Sequence, residues 1–202
     1  HVSSGRLLCC LIDIPRIKSI SFSPDSRILT SCAEDKSIRV WKISDGSLLR
    51  TIDVNLVGKH NFVINIEISP NGSTIAAIGS SGGNISLWQI SNGHQVGNIA
   101  SNKENLDRIS FSPDARFLAS SKRNRTVQIF RVQDSNLQSE IEGNSCSIGS
   151  VSFSPNSKLV AIGTWESGIK ICRVKDGLII NQLKGHDCRP VETVAFSPDG
   201  TQ

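Results

Sequence analysis

The 202 residues contain no methionine, not even at position 1, and no apolar run approaching the roughly 20 residues of a membrane-spanning helix. No basic stretch followed by an apolar one opens the chain, so it carries no targeting address to read. Its six cysteines, Cys9, Cys10, Cys32, Cys146, Cys172 and Cys188, form no CxxC pair and no metal-finger spacing. They are expected to be small buried hydrophobes of a reducing compartment, which suits a cytoplasmic location. Cys9 and Cys10 are adjacent, so on a strand they point to opposite faces and cannot form an ordinary bridge with each other.

Catalytic signatures are missing as well. His1, His60, His94 and His186 are widely separated, with no Cys or His at ligand spacing, so no metal is expected. There is no Gly-x-Ser-x-Gly elbow for a nucleophile. The glycines of GSSGGN at 79–84 lack the lysine and following helix of a phosphate loop, which leaves them as a widened turn. With 22 Lys+Arg against 18 Asp+Glu, the net charge of +4 does not by itself point to nucleic acid or membrane. No cofactor, small-molecule substrate, nucleic acid or membrane is expected, and the chain is expected not to be an enzyme.

What is present is repetition. SISFSPDSRILTSC at 19–32 has near-copies in NIEISPNGSTIAAIG at 65–79, RISFSPDARFLASS at 108–121 and SVSFSPNSKLVAIG at 150–163, with TVAFSPDGTQ at 193–202 as a fifth. The shared prolines, Pro24, Pro70, Pro113, Pro155 and Pro198, lie 46, 43, 42 and 43 residues apart. A period in the low forties is a signature of repeat architecture.

Alternation and turn chemistry divide each copy into four short strands. The first copy runs through IKSISF at 17–22, RILTSC at 27–32, SIRVWK at 37–42 and SLLRTI at 47–52. The turns SDGS, SNGH and KDGL suit the positive φ angles of tight hairpins, and connections this short make neighbouring strands antiparallel. In the first strand Ile17, Ile20 and Phe22 are spaced by three and then two, as are Val191, Val194 and Phe196; such a phase break predicts a β-bulge. Sheets with apolar residues on both faces must stack on one another, and radial stacking leaves only short edges. The expected fold is all-β: a β-propeller of four-stranded antiparallel blades, seen as a partial ring. Its parts are the outer strand of a preceding blade (1–11), four blades (17–52, 63–99, 106–141 and 148–183) and the start of another (191–202). The chain is thus expected to be a piece of a longer protein, marginally stable where its ends expose blade faces.

The FSPD turns, Asp35 and the IRVW strand ending at Trp41 resemble the WD40 repeat family over essentially the whole chain. FSPDG is shared with TolB-like and peptidase-gating propellers, but the period near 43 and the aliphatic-x-aliphatic-Trp strand favour the WD40/YVTN-like type. The motif is worn. Gly82, Asn124 and Glu166 stand at the turn aspartate of the later copies, and Phe130 and Cys172 replace the third-strand Trp. Only Gly185-His186 reproduces the family's Gly-His pair, and Trp-Asp never occurs.

The resemblance implies a scaffold for protein partners, or else the regulatory propeller of a signalling ATPase, kinase or hydrolase whose catalytic domain lies elsewhere. It also implies a binding face made by two kinds of loop. Arg16, Phe62, Asn105, Ser147 and Arg189 come from the loop before the first strand; Glu34, Ser81, Arg123 and Trp165 come from the loop between the second and third. The residues singled out for partner contact are Trp165, Arg123, Phe62, Glu34, Arg16 and Arg189. Trp and Arg concentrate interface energy, although Trp165 could instead fold back as packing over the channel. Lys122, Arg123 and Arg125 make one tight basic cluster without an interleaved aromatic, which reads as a solvated loop.

Overall fold

The computed structural model describes residues 16–54, 61–80, 83–100, 106–122, 125–142, 147–165, 168–185 and 189–200. The first blade is β1 (Ile17–Phe22), β2 (Ile28–Ala33), β3 (Ser37–Lys42) and β4 (Leu48–Asp53). The second is β5 (Val63–Ile68), β6 (Thr74–Gly79), β7 (Asn84–Gln89) and β8 (Gln95–Ala100), and the third β9 (Leu106–Phe111), β10 (Phe117–Lys122), β11 (Thr126–Arg131) and β12 (Leu137–Glu142). The fourth is β13 (Ile148–Phe153), β14 (Leu159–Thr164), β15 (Ile169–Arg173) and β16 (Ile179–Leu183). Each blade is a four-stranded sheet in chain order with antiparallel neighbours. In the first blade the second strand starts one residue later than the alternation suggested, where the buried Ser23 hydroxyl takes the Ile28 N–H, and the fourth also starts one later, where the ladder shifts opposite Val40 and Trp41.

The Ser-Pro-Asp/Asn motif closes its own hairpin. Ser23 Oγ donates to Asp25 Oδ1 (2.6 Å) and accepts the Ile28 N–H (2.9 Å), so a buried hydroxyl replaces the donor that proline lacks. Ser69–Asn71, Ser112–Asp114, Ser154–Asn156 and Ser197–Asp199 repeat the first bond at 2.6–2.8 Å. Two residues beyond each proline the chain turns left-handed: Ser26, Gly72, Ala115, Ser157 and Gly200 have φ between 57° and 71°. Only glycine occupies that region freely, and alanine there costs about 1–2 kcal/mol. Replacing Ala115 with glycine, as Gly72 already stands in the second blade, is therefore expected to raise the melting temperature by about 2–4 °C per kcal/mol recovered. Differential scanning fluorimetry of Ala115→Gly checks this; a lower melting temperature would show that the strain is relieved some other way.

The core lies between blades. Cys32, Ile38, Val40 and Ile52 of the first blade meet Val63, Ile66, Ile68, Ile75 and Trp88 of the second. Ile78, Ile85, Leu87 and Ile99 then meet Leu106, Ile109, Phe111 and Phe130, and Val127, Ile129 and Ile141 meet Ile148, Phe153, Val160 and Cys172. Cys32 and Cys172 are buried and form no disulfide; the Cys32 thiol donates to the Val63 carbonyl (3.6 Å), and burial pushes the Cys172 thiol up to about 11, away from a ready nucleophile. Ile20 and Phe22, at the strand positions of the buried Ile66 and Ile68, are 54% and 58% exposed because no described blade covers that face.

The outer strand expected within residues 1–11 lies outside the described residues. Residues 191–197, expected as the opening strand of a further blade, do not join a sheet. They lie along the fourth blade through Val191 N–H to Thr164 O (3.1 Å) and Val194 N–H to Ser150 Oγ (3.3 Å). A strand requires a paired neighbour, and none is present there among the described residues.

Candidate functional site

The innermost strands β1, β5, β9 and β13 pack side by side, and side chains stitch them together. Ser21 Oγ accepts the Ile68 N–H (3.0 Å), Asn65 Oδ1 the Ile109 N–H (3.3 Å) and Glu67 Oε2 the Phe111 N–H (2.8 Å). The bulge anticipated from the spacing of Ile17, Ile20 and Phe22 is present in all four strands, as shifts at 17/19, 63/65, 106/108 and 148/150. A bulge leaves one residue unpaired and turns its side chain away from the ladder. The four unpaired residues, Lys18, Ile64, Asp107 and Gly149, all line one open cavity of about 550 Å³. Asn65, Arg108, Trp165 and Glu192 complete its charged and aromatic wall. Gly149 is required at its position, because a Cβ there would collide with the Val191 carbonyl.

The rim is organised by one repeated backbone bond: Glu34 N–H to Arg16 O, Ser80 N–H to Phe62 O and Trp165 N–H to Ser147 O, at 2.8–3.2 Å. This pairs each residue after the second strand with the one before the first. It brings Arg16, Glu34 and Phe62 together around Lys18, whose Nζ lies 2.6 Å from Glu34 Oε1 and 4.9 Å from the centre of the Phe62 ring. The Lys18 hydrogen bond holds the Glu34 carboxyl below its ordinary range.

The same bond shows that Ser80, rather than Ser81, is the counterpart of Glu34 and Trp165. Sequence spacing could not resolve that one-residue offset without the ladder. Trp165 is 49% exposed and borders the cavity, while Arg189 is exposed but lies outside the wall. Arg123 lies outside the described residues.

Lys18, Asp107, Arg108 and Glu192 were not singled out by sequence reasoning. The signal for Lys18 and Asp107 was the phase break itself, since the extra residue of each bulge is the one that must leave the sheet. What the wall offers is recognition: two cations, two carboxylates and an exposed indole around a polar hollow. Among the described residues no group of three or more His, Cys, Asp or Glu is placed to hold a metal ion.

Residues 12–42 match the model of the WD domain, G-beta repeat, and residues 109–199 that of the anaphase-promoting complex subunit 4 WD40 domain. The chain is similar to COMPASS component SWD3 of Saccharomyces cerevisiae, with 26% identity over 64% of this chain and 42% of that protein. It is also similar to the human WD repeat and SOCS box-containing protein 1, at 34% identity over 44% of this chain and 21% of that protein. With the small ribosomal subunit protein RACK1 of Caenorhabditis elegans it shares 26% identity over 58% of this chain and 35% of that protein. The chain spans less than half the length of these relatives.

Proposed function

The chain belongs to the WD40 repeat family, and from that premise we propose that it is a non-catalytic scaffold that holds a protein segment at the mouth of its central channel. The observation that supports this reading is the cavity into which four successive bulges turn their residues, with the exposed Trp165 at its rim. A half-exposed indole beside a polar hollow supplies apolar contact area and a hydrogen-bond donor to one incoming side chain. The pre-formed Lys18–Glu34–Phe62 cluster limits the side-chain ordering needed on binding. The relatives named as a COMPASS component and a small ribosomal subunit protein are, by those names, parts of assemblies, which agrees with a scaffolding role.

Peptides selected from a displayed random library against the chain test the reading. Binding is expected to weaken about tenfold or more in Trp165→Ala and in Glu192→Lys, as truncation at an interface centre does, with unchanged circular dichroism. Selected peptides that bind both variants as tightly as the parent chain would place the interaction elsewhere.

A further inference from the structure

At the opposite end of the blades, where the first and second strands turn, a groove of about 480 Å³ runs between the third and fourth blades. Its apolar floor is Phe117 and Val174, and its walls carry Arg116, Lys158, Arg173 and Lys175 against the single carboxylate of Asp114. That carboxylate is engaged within its own turn by the Ser112 hydroxyl (2.6 Å) and the Arg116 N–H (3.0 Å). Arg173 is paired with Asp176 at 2.8 Å. Among the described residues neither Lys158 nor Lys175 has a carboxylate within ion-pair range, and both are exposed. The channel mouth, by contrast, balances Lys18 and Arg108 with Asp107 and Glu192.

Side chains cross the two junctions differently. Between the first two blades Arg50 reaches across to the carbonyls of Ser91 (2.8 Å) and Asn92 (3.1 Å), so a long side chain spans the gap. The residue at the same ladder position in the third blade is Ser139, paired with Ile129 as Arg50 is with Val40. It stops at the Val174 carbonyl (2.8 Å), and Gln138 stops at that of Lys175 (2.8 Å). The Arg116 guanidinium, 5.9 Å from the Phe117 ring centre, borders the floor with charge rather than covering it.

The geometry points to a second docking surface here, for an acidic peptide segment that carries one apolar side chain. The apolar residue lies on the half-buried Phe117 ring, which packs on Val174, and flanking carboxylates meet Lys158, Lys175 and Arg116. The charge excess argues for an acidic partner, because like charges gathered around one groove repel until an anion offsets them. The apolar floor argues for an anchored peptide rather than a bare phosphate. This surface is separate from the channel mouth, so each can fail without the other.

The probe is a fluorescein-labelled Asp-Asp-Glu-Asp-Leu-Asp-Glu-Asp-Asp peptide, titrated with the chain by fluorescence anisotropy at low and at physiological ionic strength. Saturable binding is expected, weakened about tenfold or more by the combined Lys158→Glu and Lys175→Glu changes. Serine in place of the central leucine is expected to weaken it by about tenfold. Arg27→Glu, a charge reversal at the same end of the first blade, is expected to change it less than about threefold, and Trp165→Ala to leave it unchanged. Absence of binding overturns the inference. So does an equal effect of Arg27→Glu, which would mean a diffuse field, or equal binding of the serine peptide, which would mean attraction of any polyanion, phosphate or acidic lipid included. Melting curves of the charge variants that overlay the parent's exclude misfolding as the cause of a loss.

Discussion

The stability of this chain is expected to fall as pH rises from about 4.5 to about 8, and Glu67→Gln to remove most of that fall. Glu67 sits on β5 and accepts the Phe111 N–H across the junction of the second and third blades. The same position in the first blade is Ser21, which makes the equivalent bond without a charge. Burial pushes the Glu67 carboxyl up to about 8, against which the single amide bond works only weakly. Folded chains therefore hold this proton up to about pH 8 and unfolded ones only to about pH 4.5, so between those limits each rise in pH favours unfolding. The curve flattens at both ends, where the two states have the same charge.

Each unit of displacement corresponds to about 1.4 kcal/mol, so the total is several kcal/mol at most. Asp25 and Glu34 act in the opposite direction. Their carboxyls are held low by the Ser23 hydroxyl and the Lys18 ammonium, so any contribution they make is lost as pH falls through and below the ordinary carboxylate values of 3.8 and 4.5, at the acid edge of this window and beyond it. Glutamine keeps an acceptor for Phe111 and cannot ionise. Denaturant melts across this range should show Glu67→Gln close to the parent near pH 5 and more stable above pH 8; parallel curves would mean that the carboxyl ionises freely.

The same substitution at the same sheet position is expected to have opposite signs in two blades. Ser31 Oγ accepts the Trp41 indole N–H at 2.9 Å in a buried site. In the third blade Ser120 stands at that position, but Phe130 replaces the tryptophan, and the Ser120 hydroxyl is buried with no partner among the described residues. In the second blade the mismatch is reversed: Trp88 pairs with Ile75 and keeps its N–H, but Ala77 stands at the diagonal position that Ser31 holds in the first blade, and the N–H has no partner among the described residues.

A buried polar group left without a partner costs about 1–3 kcal/mol. Ser31→Ala should therefore destabilise by about that amount, by stranding the indole, while Ser120→Ala should stabilise by roughly 1 kcal/mol. Ala77→Ser is expected to stabilise the second blade by about 0.5–1.5 kcal/mol, since it restores the first blade's bond. Chemical denaturation of the three variants decides the matter; a loss of stability in Ser120→Ala would mean that its hydroxyl is satisfied in solution.

Much of this was legible in advance. The 46, 43, 42 and 43 spacings, the Ser-Pro-Asp/Asn turns and the bulge at Ile17–Phe22 all follow from local chemistry, because turn residues and phase breaks act within a few neighbours. The worn third-strand positions, Trp41, Trp88, Phe130 and Cys172, were visible too. Their consequences were not. Whether an indole or a hydroxyl is stranded depends on the residue diagonal to it on the neighbouring strand, and Ala77 or Ser120 is assigned to that place only by register. Arg16, Glu34 and Phe62 were chosen as exposed loop residues, but the lysine that joins them, Lys18, sits in a bulge whose direction no one-dimensional pattern reports.

The sequence by itself determined the repeat, the strand order within each blade and the requirement that blades stack, since two-faced apolar sheets cannot be stable in water alone. The tertiary structure alone decided which side chains meet between blades: Glu67 with the Phe111 amide, Lys18 with Glu34 and Phe62, and the open basic groove where Ser139 stands in place of an arginine. Those contacts join residues roughly a repeat or less apart in the chain, and their energies depend on distance and burial, which are fixed only when neighbouring blades close on one another.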